Sequence, residues 1–391
     1  MSDEQLLAYA DELAQKFIIT DGHVDLPFRL KDKNFVADRG NLDTLVHNST
    51  GNIDFVRARK GGLDAPFMSI YIPASYQLRP DFGKNLADSL IEMVRGIASG
   101  LPHEFALANS PAEVEVNTKA RKISLPMGME NGAPIGKDLS NVKYFYDRGI
   151  RYVTLTHGKD NQFCDSSYDT LHTWHGLSPL GRELVKEMNR VGIMIDISHV
   201  DDSTFYQVMN LSKAPCIASH SSCRYYTPGF GRNMNDDMIK KLGENDGVIQ
   251  INFGSAFLDS TVRAKNEVNQ KKLKALLDEK KLKAKDSLAK PIITQFKKEN
   301  PSYFADVEMV ANHIDHAVKM AGIDHVGIGS DFDGVGDSLP TGLKEVSAYP
   351  NLIYALLKRG YSEIEIEKIC SKNVFRVWNK VEETAKQLQK D

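Results

Sequence analysis

Eight short, β-rich apolar runs alternate with longer amphipathic stretches along this 391-residue chain, and that alternation leaves few folds open. The runs are Phe17–Asp21, Phe67–Ile72, Ile123–Met127, Tyr152–Thr156, Met194–Ile197, Cys216–Ser219, Val248–Asn252 and Val326–Gly329. Helical periodicity predicts helices over Leu86–Ala98, Pro179–Val191, Thr204–Leu211, Asp236–Leu242 and Asp306–Ala321, with two more, Leu343–Lys358 and Ser362–Lys380, after the last run. Residues 1–17 read as a further amphipathic helix. Strands separated by helices pair in parallel through right-handed crossovers. Eight of them predict a (β/α)8 TIM barrel, one domain over residues 1–391. The alternative is a doubly wound open sheet, which carries a Gly-rich fingerprint after its first strand. The segment GHVDLP at 22–27 is no such fingerprint.

Residues 259–303 break the alternation. They include KKLKALLDEKKLKAKDSLAK, a strong helix former with a charged face. It reads as a late helical insertion packed on the barrel or on a neighbouring subunit, in preference to a basic arm for a partner. The net charge of −3 offers no basic field for nucleic acid or anionic lipid. No stretch of 18 apolar residues exists, so no membrane insertion is expected. The N-terminus shows no basic segment followed by an apolar one. The expected compartment is the cytoplasm, with the periplasm or secretion as alternatives if a leader has been removed. The four cysteines, Cys164, Cys216, Cys223 and Cys370, form no CxxC pair and read as buried thiols, neither disulfides nor zinc ligands.

In such a barrel the C-terminal strand ends converge on one mouth, and here those ends are polar. The first run leads into His23-Val24-Asp25, and residues i and i+2 of an extended segment point the same way. Glu130 follows the third run, His157 the fourth, His199 the fifth, His220 the sixth, and Asp331 and Asp333 the eighth. Each alone has a dull explanation, such as a helix cap, a turn or a satisfied core histidine. Burying them together without a partner costs several kcal/mol each, and a cation at their centre reverses that cost. His23, Asp25, Glu130, His199 and His220 make three imidazoles and two carboxylates. One zinc takes three protein ligands and a water, whereas five ligands with one shared carboxylate suit two ions about 3.5 Å apart. Glu130 is the expected bridge, because a carboxylate has two oxygens to share. His23 and Asp25 would complete one ion and His199 and His220 the other, with a water between them made a hydroxide nucleophile.

The remaining histidines are weaker candidates. His313 and His316 share one helix face, but no strand end supports them, and they read as histidines of a helix flanking the barrel. His172 and His175 lie in a loop after the fourth run and could line the mouth. His47, His103 and His325 have no companions.

In this order, DGHVDLP, GMENG, LTH, DISH, SHSS, RN-x-x-DD and GSDFDG resemble the membrane dipeptidase (renal dipeptidase) family of the amidohydrolase superfamily, from Asp21 to Gly334. The resemblance implies a (β/α)8 barrel with a binuclear zinc centre that hydrolyses dipeptides, using the ligand set above. It also implies roles that spacing does not assign. His157 would contact the substrate and stabilise the tetrahedral oxyanion. Arg232 would grip the substrate carboxylate, which suits a bidentate, always-charged guanidinium. Asp331 would contact the substrate, take a proton from the attacking water and pass it to the leaving amine. The chain departs from many relatives at Asn235 and Gly254, near the pocket, so side-chain preference is left open. The resemblance further implies a homodimer. The chain looks like a soluble microbial member, because it shows neither the cysteine framework nor the apolar tail of lipid-anchored relatives. The rival readings are another hydrolysis of the superfamily, by an N-acyl-amino-acid deacylase or a lactonase, and a non-catalytic binding barrel. The last predicts a missing ligand, and none is missing.

Overall fold

The computed structural model describes residues 2–47 and 50–390. Its strands, in chain order, are β1 (Ile19–Val24), β2 (Leu63–Tyr71), β3 (Phe105–Leu107), β4 (Ile123–Leu125), β5 (Met127–Glu130), β6 (Ile150–Thr154), β7 (Met194–Asp196), β8 (Ile217–Ser221), β9 (Val248–Ile251) and β10 (Val326–Ile328). Eight of them form one parallel sheet in the order β1-β2-β5-β6-β7-β8-β9-β10, while β3 and β4 pair separately. The order never reverses, so there is no switch point, and the doubly wound alternative falls. The segment after β10 draws the sheet into a barrel. Asp331 N–H donates to the His23 carbonyl at 3.1 Å, and Asp25 N–H donates to the Phe332 carbonyl at 2.9 Å. Every residue of β1, β5, β6, β8 and β9 is buried. Helices cover the outside and side chains fill the inside, which is why these runs read as continuously apolar.

Seven of the eight expected runs form barrel strands with shifted ends, and the third is divided between two sheets. Phe17–Asp21 is displaced to Ile19–Val24, so His23 lies within the strand. Ile123–Met127 is not one strand. Pro126 has no N–H to give a ladder, and the chain passes from the small sheet at Leu125 to the barrel at Met127. The helix expected from Leu343 starts at Tyr349 after a short 3-10 turn, Val346–Ala348. The last expected helix is divided into Glu363–Glu367, a wider turn at Lys368–Lys372, and Asn373–Leu388. Residues 259–303 hold two helices, Ser260–Glu279 and Ala289–Glu299, between β9 and the helix Val307–Ala321.

The two barrel ends differ. At the N-terminal end, Met194, Ile217 and Val248 pack with Val374, Phe375 and Trp378 of the last helix in an apolar cluster. The Trp378 ring lies 5.2 Å from Phe67, which lies 5.5 Å from Tyr152. The C-terminal end is polar. All four cysteines are buried and free. Among the described residues no helix is long and apolar enough to cross a membrane.

Candidate metal centre

The strand ends bring His23, Asp25, Glu130, His157, His199, His220 and Asp331 together in overlapping groups whose ligand atoms lie within 4.8 Å of one another. Glu130, at the end of β5, sits in the middle. Its Oε2 faces His23 Nε2 at 3.5 Å, and its Oε1 faces His199 Nε2 at 3.0 Å, His220 Nε2 at 3.2 Å and His157 Nε2 at 3.8 Å. Asp25 Oδ2 lies 3.4 Å from His23 Nε2. All but His157, which is partly exposed, are buried. His199 and Asp331 hold φ at 71° and 63°, a left-handed conformation that costs a non-glycine residue about 1–3 kcal/mol and gathers at functional sites.

Hydrogen bonds fix the imidazole tautomers. Tyr152 Oη donates to the Gly22 carbonyl at 3.0 Å, so it accepts from His23 Nδ1–H at 2.8 Å. His23 Nε2, on the other side of the ring, is fully buried and without a hydrogen-bond partner. Similarly, Ser219 Oγ donates to Asp196 Oδ2 at 2.6 Å and accepts from His220 Nδ1–H at 2.7 Å. His220 Nε2 is then bare and faces His199 Nε2 at 2.8 Å. Burial, with His23 beside it, pushes the His220 imidazole down to about 4. Burial, helped by Arg232 and His157, likewise holds His199 well below its ordinary value. Burial opposes ionisation of Glu130, but His23 and His157, with the hydrogen bonds of His199 and His220, outweigh it and hold the carboxyl well below the usual range. Burial opposes a charge on His23, but Tyr152, Glu130 and Asp25 outweigh it and raise the imidazole well above its ordinary value. A cation among these groups would take the place of that proton. His199 and His220 are already neutral, as metal ligands must be. The donor set fits zinc.

Asp331 is set apart from Glu130. Burial, with Asp25 adding to it and His23 opposing, raises its carboxyl to about 7. Asn252 Nδ2 donates to its Oδ2 at 2.8 Å. A Cβ on Gly334 would fall 2.1 Å from Asp25 Oδ2 and 2.2 Å from Asp331 Oδ1, so the final glycine of GSDFDG makes room for two carboxylates. Gly128 serves Tyr152 in the same way, since a Cβ there would lie 2.0 Å from the phenol ring.

A cavity of about 780 Å³ opens above the cluster. Asp25, Glu130, His157, His199, His220 and Asp331 line its polar side, and Phe28, Tyr71, Tyr168 and Phe257 its aromatic side. Arg232 lies beside this cavity, not in its lining. Its Nη1 donates to Ser221 Oγ and its Nη2 to the His220 carbonyl, both at 2.7 Å, and its Nε is buried with no partner. Asp333 also lines the cavity but lies outside the cluster of candidate ligands, held by Arg29 Nε at 2.8 Å and the Asn52 N–H at 2.7 Å. His172 and His175 are exposed and line a separate, smaller depression. His313 and His316 lie on the helix Val307–Ala321 and do not line the cavity. Asn235 caps the helix Asp236–Glu244, and the space beside Gly254 is filled by Phe257 and Val335.

Tyr152, Asp196, Ser219 and Asn252 were not singled out from the sequence. Asp196 carried a signal, as the polar break in the buried run before His199. Tyr152 carried none, because it reads as a core aromatic.

The membrane dipeptidase family model (peptidase family M19) matches residues 7–391. An uncharacterised dipeptidase of Schizosaccharomyces pombe is 32% identical over 380 residues, covering 94% of this chain and 81% of that protein. The crystal structure of a probable dipeptidase, PvdM, from Pseudomonas aeruginosa superimposes with a TM-score of 0.81 at 26% identity, covering 98% of this chain and 100% of that one. A metallopeptidase from Rhodobacter sphaeroides, solved with a phosphinate mimic of the dipeptide L-Ala-D-Ala, gives 0.75 at 26% identity, covering 93% and 99%. With a family match spanning nearly its whole length and dipeptidases as its structural neighbours, this chain belongs to the membrane dipeptidase family and is a metallodipeptidase.

Proposed function

We propose that the chain hydrolyses dipeptides at a binuclear zinc centre, with His23 and Asp25 on one ion, His199 and His220 on the other, and Glu130 shared between them. The observation that carries this reading is the division of Glu130, whose Oε2 faces His23 at 3.5 Å while its Oε1 faces His199 at 3.0 Å and His220 at 3.2 Å. One carboxylate turned toward two donor sets suits two cations. When bound, zinc would lower the pKa of a water held between the two positions and polarise the peptide carbonyl. Asp331 takes the proton of that water and delivers it to the leaving amine. Its raised carboxyl is matched to both tasks, and Asn252 holds one of its oxygens in place. His157, set edge-on to Tyr71 at 4.8 Å in the cavity wall, donates to the oxygen that gains charge. Arg232 offers its unpartnered Nε–H to the substrate's C-terminal carboxylate.

The test is to measure metal content and the hydrolysis of L,L- and L,D-dipeptides before and after chelation, for the native chain and for Glu130→Gln. Two zinc ions per chain, activity lost on chelation and restored by zinc, and depleted occupancy of both positions in the variant are expected. Full activity after complete metal removal would end the reading. Full two-metal loading of Glu130→Gln would remove the bridge.

A further inference from the structure

The buried histidine on the helix Val307–Ala321 has no part in the chemistry above, yet its contacts lead to Arg232. His313 is fully buried. Its Nδ1 accepts from the Cys223 N–H at 3.0 Å, so its proton sits on Nε2, which donates to the Leu258 carbonyl at 2.9 Å. Burial pushes the imidazole down to about 4, and the ring keeps this neutral tautomer. The Cys223 thiol returns a bond to the His313 carbonyl at 3.4 Å.

The two backbone groups that His313 joins belong to two different loops. Cys223 lies two residues beyond the end of β8, at the start of the loop that carries Arg232. Leu258 ends the short helix Ser255–Leu258, which carries Phe257. These loops close on the guanidinium from both sides. Ser221 Oγ and the His220 carbonyl accept from it at 2.7 Å, and the Phe257 ring lies 5.5 Å from its central carbon. Asn233 Nδ2 ties the loops once more, donating to the Phe257 carbonyl at 2.7 Å. An imidazole is suited to the join because its two nitrogens offer an acceptor and a donor on a rigid ring. An apolar side chain there would leave both buried backbone groups unpaired.

We propose that His313 is a positioning residue for Arg232. By holding the β8 and β9 loops at a fixed separation, it sets where the guanidinium meets the substrate's C-terminal carboxylate. The inference rests on the reading of Arg232 as the carboxylate grip.

The experiment compares steady-state kinetics of the metal-loaded native enzyme, His313→Phe, His313→Asn and Arg232→Met on a dipeptide and on its C-terminal amide. Metal content and thermal midpoint are measured alongside. His313→Phe should raise KM for the dipeptide about tenfold, with kcat and metal content little changed and the amide nearly unaffected. His313→Asn, which keeps an acceptor for Cys223, should fall between and carries the test if the Phe variant does not fold. In an Arg232→Met background, His313→Phe should add nothing further to KM. If Arg232→Met itself leaves the dipeptide KM unchanged, the reading of Arg232 fails and this inference falls with it. If Arg232→Met raises KM but the His313 variants do not, or if they lower kcat equally for dipeptide and amide, His313 is a structural residue only.

Discussion

Two groups of buried histidines occupy this molecule, one at the barrel mouth and one on the helix Val307–Ala321, and their bonding separates them. At the mouth, Tyr152 and Ser219 occupy the Nδ1–H of His23 and His220, leaving the Nε2 atoms aimed at Glu130. On the helix, both nitrogens of His313 are matched to backbone groups. His316 Nε2 meets Asp236 Oδ1 at 2.7 Å, with its ring stacked on Tyr225 at 4.4 Å. Burial is similar in the two groups, and so is residue type. What distinguishes the two groups is that the mouth histidines turn their Nε2 atoms toward one shared carboxylate, while each helix histidine is matched to a partner of its own.

The largest effect that would test this contrast is at the mouth. Asp331→Asn should cut turnover about a thousandfold while leaving metal content as it was, and near-normal turnover would refute the acid/base role. Tyr152→Phe removes the group that keeps the proton on His23 Nδ1. It should weaken metal binding about 10- to 100-fold, read by competition with a chelator of known affinity. Unchanged affinity would reduce Tyr152 to packing. The smallest effect belongs to the helix. His316→Gln should leave metal content and KM alone and cost about 1 kcal/mol or less in a denaturant titration, and any loss of metal would erase the contrast between the groups.

The residues of the candidate centre were legible in the sequence because each interrupts or follows an apolar run where packing alone would choose an apolar side chain. His23, Glu130, His199, His220 and Asp331 all announce themselves in this way. The residues that orient them did not. Tyr152 meets His23 only because β6 lies beside β5, where Gly128 leaves space for the ring. That is a matter of register across the sheet, invisible in local periodicity. Asn252 and Asp331 meet at 2.8 Å across 79 positions of chain. The division of Ile123–Met127 was equally hidden. Two consecutive apolar stretches read as one strand, although Pro126 marks the break. The pairing that sends Leu125 to Leu107 and Met127 to Met68 is set by distant partners.

The closure of the barrel between β1 and the segment after β10 has a consequence for how the protein is made. His23 and Asp25 emerge from the ribosome well before Asp331, which is bonded to the His23 carbonyl. At ordinary elongation rates, roughly 15 to 60 s separate them. Throughout that interval the first strand has no neighbour on one side, and Asp25 and Asp331 have not yet been brought against Gly334. The packing of Trp378 against Phe67 beneath Tyr152 comes later still. Assembly of the centre thus waits for β10, and a translation product arrested before that strand would carry all five proposed ligands without Asp331 or the closed mouth.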